Sequence, residues 1–234
     1  MTFMIDNITM FEKRHSTLMK VLSIAITFFL VLRLSSELYA EDAAAILPIV
    51  VLETALGEIE IEVNTGKAPL SSASFLAHIE SGLFVEAGGF YRAVRSNNIG
   101  LFPAHDVIQG GLLDYEKMIL PSVPHESTIE TGLSHTHGTV SLARLGLGSA
   151  NGGTFFICIG DQSGLDDGGQ VAKSLEAQRG NDYTQGFSAF GQVIKGMDIV
   201  TAIQKMDTTH WPNHPEASPQ YLRTPVRFLQ AYRR

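Results

Sequence analysis

From Ile49 onward, apolar and polar positions fall into short runs whose period changes from two to nearly four and back. The stretch "IVVLETALGEIEIEVN" reads as two strands joined at Ala55, Leu56 and Gly57. In the second of them Glu58, Glu60 and Glu62 alternate with Ile59, Ile61 and Val63, which places carboxylates on a solvent face and aliphatics on a core face. "APLSSASFLAHIESG" then switches to helical spacing, with Pro69 near its start, Leu70, Phe75, Leu76 and Ile79 on one face, and Gly82 as the stop. "GFYRAV", "DVIQG", "GTVSLARL", "GTFFICIG" and "FSAFGQVIKG" are further strands. "MDIVTAIQKM" is a second helix and "TPVRFLQAYR" a closing strand. The clusters of Gly, Pro, Asn and Ser between them give the rhythm of a mainly β, antiparallel barrel or sandwich. Helices near its two ends would plug the two mouths.

Two segments are too long to be simple connections. Asn97 to His105 lengthens one loop, and Asp167 to Gly186 is polar and rich in glycine, which predicts a surface excursion that buries little. His210 to Gln220 is a third, Pro-rich link. The domain therefore runs over 49–234, with insertions near 95–105 and 167–186. Ahead of it, Lys13, Arg14 and Lys20 precede the apolar run Val21 to Leu32, and "RLSSELYA" ends in Ala40. That order of basic, apolar and small residues is a secretory signal peptide over 1–40, with Met19 as an alternative start and 41–48 as a short leader. The apolar run would span about 18 Å as a helix, short of a ~30 Å hydrocarbon core, so a cleaved signal is favoured over a stable membrane span. The protein is then periplasmic or secreted.

Without residues 1–40 the chain carries 13 basic and 21 acidic residues, a formal charge of −8. Such a balance repels phosphate, and no cluster of Lys and Arg exists to offset it, which argues against nucleic acid as a partner. The single cysteine, Cys158, lies in "TFFICIG" and reads as a small buried hydrophobe. His135 and His137 lie just before a strand without cysteine partners, and they read as a solvated loop with no metal. Nucleophile-elbow, phosphate-loop and dinucleotide patterns are absent.

What remains is Arg92 inside the apolar "GFYRAV", followed by Gln109 ahead of two glycines. Taken alone, the pair is either a structural hydrogen-bonding couple or the polar end of a binding groove. The ordered strings "KAPLSSASFLAHIESGLF", "FYR", "IQGG", "GTVSLAR", "GGTFFICIG" and "FSAFGQVIKGMDIV" together resemble the cyclophilin-type peptidyl-prolyl cis/trans isomerases. The resemblance implies an eight-stranded antiparallel barrel capped by two helices, with a substrate groove on its outer surface. It also implies an isomerase of X-Pro bonds in unfolded or flexible polypeptides, without a cofactor; the sequence does not fix the oligomeric state, for which a monomer is the default expectation. The family's catalytic arginine falls on Arg92, with Tyr91 where histidine is usual, and its glutamine on Gln109. Phe156, Ala143, Arg144, Phe187 and Val107 fall on substrate-binding positions.

The pattern departs at two places. Asp106 stands where the family has an aromatic, so that Phe102 or Val107 would have to complete the wall, and Gly164 stands where it has tryptophan. The second departure implies weak binding of cyclosporin, restorable in part by Gly164→Trp. Together they leave an alternative, a module that holds proline-containing segments without turnover.

Overall fold

The computed structural model describes residues 46–98, 103–113, 120–180, 182–210 and 218–234. The expected signal peptide over 1–40 and Phe102 lie outside the described residues. Leu47–Arg234 forms one compact unit.

Ten strands make one antiparallel sheet: β1 (Ile49–Thr54), β2 (Gly57–Val63), β3 (Gly88–Val94), β4 (Val107–Leu112), β5 (Thr139–Leu142), β6 (Thr154–Cys158), β7 (Ser188–Lys195), β8 (Thr208–Thr209), β9 (Tyr221–Arg227) and β10 (Gln230–Arg233). Their order across the sheet is β10-β1-β2-β7-β5-β6-β4-β3-β9-β8. The expected eight-stranded closed barrel is therefore corrected to ten strands in an open ladder. Of the two extra strands one is the two-residue β8, which pairs with β9, and the other arises where the closing strand divides. The closing run "TPVRFLQAYR" breaks at Phe228 and Leu229, whose backbone N–H groups donate to Gly88 of β3 and Glu53 of β1. One strand thus becomes β9, paired with β3, and β10, paired with β1.

Five α-helices are described, against two expected. α1 (Pro69–Glu80) carries proline in its first turn but no cap from its own N-cap residue. The Glu126 carboxylate serves instead, accepting from Leu70 N at 3.0 Å and Ser71 N at 2.7 Å, a negative charge at the positive end of the helix. α2 (Leu83–Ala87) and α3 (Thr128–Thr131) are single turns. α4 (Gln170–Arg179) occupies the segment expected to be a surface excursion. Val171, Ala172 and Leu175 of α4 are buried, as is Tyr183 after it, so that expectation is overturned. An i, i+4 pair with one small neighbour was enough apolar area to order a segment that looked polar. α5 (Met197–Gln204) buries Val200 and Ile203.

The inner face of the sheet holds a phenylalanine cluster. Phe155 lies 5.3 Å from Phe75 and 6.0 Å from Phe90, both edge-to-face, the favoured geometry of ring quadrupoles. The glutamate face of β2 is not wholly solvated: Glu60 is 5% exposed. Its carboxylate accepts from Lys195 Nζ at 2.9 Å and Arg234 Nη2 at 2.7 Å, which holds its pKa below the usual carboxylate value.

His78 of α1 sets a pH limit. Its Nδ1–H donates to the Ser74 carbonyl at 2.8 Å, and its Nε2 is buried without a hydrogen-bond partner. Burial lowers its pKa, partly opposed by that carbonyl. The unfolded chain takes up the proton near pH 6.5 and the folded chain only at lower pH. Stability from neutral His78 is complete above about pH 6.5 and is lost as pH falls through the folded value. Denaturation midpoints should therefore decline below about pH 6.5, with a shallower decline in His78→Gln; equal slopes would contradict this.

Candidate active site

The site is built on the outer face of four neighbouring strands. Register places Arg92 of β3 opposite Gln109 of β4, Gln109 opposite Phe156 of β6, and Phe156 opposite Ser141 of β5. Along β6, alternation sends Phe155 and Ile157 into the inner core and Phe156 and Cys158 to the outer face. In β3 the alternation is broken by a register shift between Phe90 and Arg92. Phe90 and Ala93 both join the inner core although three residues apart. The bulge thereby puts the consecutive residues Tyr91 and Arg92 within reach of one partner, Gln109.

That partner is held from both sides. Gln109 Oε1 accepts from Arg92 Nη1 at 2.7 Å, while Gln109 Nε2 donates to the Tyr91 hydroxyl at 2.9 Å. Arginine offers only donors, so the amide oxygen must face it, and the amide nitrogen is thereby aimed at Tyr91. The tyrosine that replaces the expected histidine is thus an acceptor for the glutamine, and it stacks on Tyr221. Two further N–H groups of Arg92, Nε and Nη2, donate to Gln220 Oε1 at 3.0 and 2.5 Å. The glycines after Gln109 fit close quarters. A Cβ on Gly110 would meet the Phe90 ring at 2.6 Å, and one on Gly111, whose φ is +126°, would meet the Gly153 carbonyl at 2.1 Å.

Next to this polar group lies a separate apolar cluster of Val94, Val107, Phe156, Cys158, Leu165, Val171, Leu175, Tyr183 and Phe187, with Ala143 packed on it. Phe156 and Phe187 meet edge-to-face at 5.4 Å. Val107, and not Asp106, supplies the wall: the Asp106 carboxylate accepts from Ser96 N, Ser96 Oγ and Gln204 Nε2. The departure at Asp106 therefore puts no charge in this cluster. Arg144 is placed differently from the other binding candidates. Its Nε and Nη2 donate to the Gly186 carbonyl at 2.9 and 2.7 Å and its Nη2 to Asp182 O at 2.9 Å, and it stacks on Tyr183 and Phe187. Its side chain is committed to holding the turn that follows α4.

Sequence reasoning missed the support beneath Phe156. His135 is 0% exposed, not solvated, and its ring stacks on Phe156 at 5.8 Å. Its Nδ1–H donates to Asp166 Oδ1 at 2.5 Å, and its Nε2 meets Ser141 Oγ at 3.0 Å. Burial disfavours the ionised Asp166, but hydrogen bonds from His135 and Ser134 outweigh it and lower its pKa. The connectivity matches a hydrolase triad, yet Ser141 is wholly buried and so cannot meet a substrate carbonyl. Cys158 is buried and its thiol pushed up, which removes it as a nucleophile. Among the described residues no group of three or more His, Cys, Asp or Glu could hold a metal.

Gly164 is filled from outside. A Cβ built on it would meet Val171 Cγ2 at 2.9 Å, so α4 occupies the space into which a larger side chain would project. Gly164→Trp is therefore expected to lower the melting temperature by displacing α4, and not to restore a drug-binding wall. A variant as stable as wild type that gains tight cyclosporin binding would contradict this.

A family model for "Cyclophilin type peptidyl-prolyl cis-trans isomerase/CLD" matches residues 49–220. The peptidyl-prolyl cis-trans isomerase of Acinetobacter baylyi is 28% identical over 178 residues, covering 76% of this chain and 81% of that protein. Peptidyl-prolyl cis-trans isomerase A of Dickeya dadantii is 30% identical over 159 residues, covering 68% and 72%. A cyclophilin-type isomerase of Cryptosporidium parvum shares the fold, with a TM-score of 0.57 at 17% identity over 80% of this chain and 98% of that one. The chain belongs to the cyclophilin-type peptidyl-prolyl cis-trans isomerase family, and its function is that of a peptidyl-prolyl isomerase.

Proposed function

We propose that Arg92 and Gln109 carry the isomerisation and that Phe156, with Val107, Ala143 and Phe187, receives the proline ring. The observation that carries this reading is the register row that brings Arg92, Gln109 and Phe156 onto one outer face. Rotating an X-Pro bond must break amide resonance, a barrier of ~18–20 kcal/mol, with no net transfer of a proton or an electron. As the bond twists, the lone pair localises on the prolyl nitrogen, which only then becomes a good acceptor. A guanidinium N–H aimed at that nitrogen is therefore worth more in the transition state than in the ground state, the condition for raising a rate. Each ~1.36 kcal/mol of such differential binding is tenfold. Gln109 can hold the substrate backbone while the carbonyl on the other side of the bond turns. Arg144 would contribute through its backbone, since its side chain holds the 182–187 turn.

The substrate is a proline-containing segment of a flexible polypeptide. A Cryptosporidium parvum relative of the same fold was crystallised in the presence of the dipeptide Ala-Pro, with a TM-score of 0.55. Titration with an Ala-Pro peptide should shift the amide resonances of Gln109, Phe156 and Phe187 and leave those of β1 unmoved. Shifts confined to other faces would contradict the placement.

The same reading places the protein in the periplasm or outside the cell, on the strength of the basic, apolar and small-residue order of residues 13–40. No helix among the described residues is long and apolar enough to cross a membrane. The mature protein should begin at Glu41 by intact mass; a full-length species retained in membranes would contradict export with cleavage.

A further inference from the structure

We infer that Gln220 is a positioning residue for the reaction, and that it aims the Arg92 guanidinium through a neutral acceptor. The inference rests on the assignment of Arg92 as the donor to the prolyl nitrogen. Gln220 lies outside every motif of the sequence, at the end of the Pro-rich link and one residue before β9. It is nonetheless 7% exposed, low for a glutamine, and each end of its amide is engaged. Its Oε1 accepts from both Nε and Nη2 of Arg92, and its Nε2 donates to the Asn98 carbonyl at 3.1 Å. Its backbone is fixed as well, since Ala93 N donates to Gln220 O at 2.8 Å and Gln220 N donates to Ser218 O at 2.9 Å.

Two N–H groups on one oxygen fix the plane of the guanidinium, and a third, Nη1 on Gln109, fixes its rotation about that oxygen. The two amides therefore clamp the fork from opposite ends. The Asn98 carbonyl settles which end of Gln220 faces the arginine, because only the amide nitrogen can donate to it. Asn98 in turn is tied to the strand it follows, its Nδ2 donating to Ala93 O at 3.1 Å and to Pro219 O at 3.2 Å. The clamp is thus part of a rigid corner between β3 and β9.

The choice of an amide has a chemical consequence. A carboxylate in the same place would pair bidentately with Arg92 and add a full negative charge beside it in the ground state. That added charge would compete with the prolyl lone pair for the guanidinium as it forms. A neutral oxygen orients the same donors and avoids that competition. The role predicted for Gln220 is therefore on the rate of the bound complex and not on substrate affinity.

The test compares Gln220→Met, which keeps the length but has no amide, with Gln220→Glu, which keeps an acceptor and adds a charge. Arg92→Ala serves as the reference, and the full-length protein is used with an Ala-Pro peptide. Both Gln220 variants should lower kcat by about tenfold to a hundredfold, the scale of an ångström-level misplacement of a catalytic group, with KM within about twofold of wild type. The Arg92 Nε–H, held by Gln220 Oε1, should exchange slowly with water in the wild type and fast in Gln220→Met. Both variants turning over within twofold of wild type while Arg92→Ala is inactive would overturn the inference and leave the Arg92 assignment standing. So would a loss of folded protein with kcat per folded molecule unchanged, the mark of a purely structural residue. Wild-type turnover by Arg92→Ala would overturn the assignment of Arg92 itself, a separate result.

Discussion

Arg92→Ala is expected to lose at least about a hundredfold of the catalysed exchange rate, the usual consequence of removing one donor aimed at developing charge. The fold should survive, since Arg92 is a partly exposed residue on the outer face and the inner core does not include it. Arg92→Lys should be nearly as poor. An ammonium carries its three N–H groups on a single nitrogen and lacks the planar fork whose separate nitrogens meet Gln109 and Gln220 while another N–H is directed at the substrate. Exchange rates read at saturating peptide, with melting temperatures measured beside them, separate a lost donor from a lost fold. A lysine variant with more than half of the wild-type rate would show that charge alone suffices.

The second large effect contrasts two neighbours. Phe155 and Phe156 are consecutive on β6 and point to opposite faces of the sheet, one into the inner phenylalanine cluster and one into the outer site. Phe155→Ala should cost about 3–5 kcal/mol of stability, the range for removing a fully buried phenylalanine, and lower the melting temperature on the order of 10 °C. Its effect on the rate per folded molecule should be small. Phe156→Ala removes the ring on which His135 stacks and Phe187 rests, so it should raise KM several-fold as well as reduce stability. Equal ratios of activity loss to stability loss in the two variants would contradict the division of the sheet into a structural and a functional face.

Much of this was legible in the residues. The strands β1 to β7 and the helices α1 and α5 are legible from alternating or continuous apolar runs bounded by Gly, Pro and polar residues, because such patterns record burial on one face or on both. Arg92, Gln109 and Phe156 were located by ordered strings, and the register joins them. The corner at Phe228 and Leu229 is not legible, since both corner residues are apolar and no Gly or Pro marks where the strand changes partners. α4 was hidden because Val171, Ala172 and Leu175 are its only buried residues in ten. The bulge at Tyr91 left no mark in the sequence, yet it decides that Tyr91 and Arg92 share a partner. Gln220 and His135 belong to no periodic run, and long-range hydrogen bonds such as theirs carry no local pattern.

The central claim is that Arg92 acts on the transition state and not on binding. The most direct test measures, in one sample, the dissociation constant of an Ala-Pro peptide and its cis/trans exchange rate by NMR, for wild type and for Arg92→Ala. The account predicts dissociation constants within about threefold of each other and exchange rates at saturation that differ at least a hundredfold. A loss of affinity that accounts for the whole loss of rate, with saturated rates equal, would contradict it.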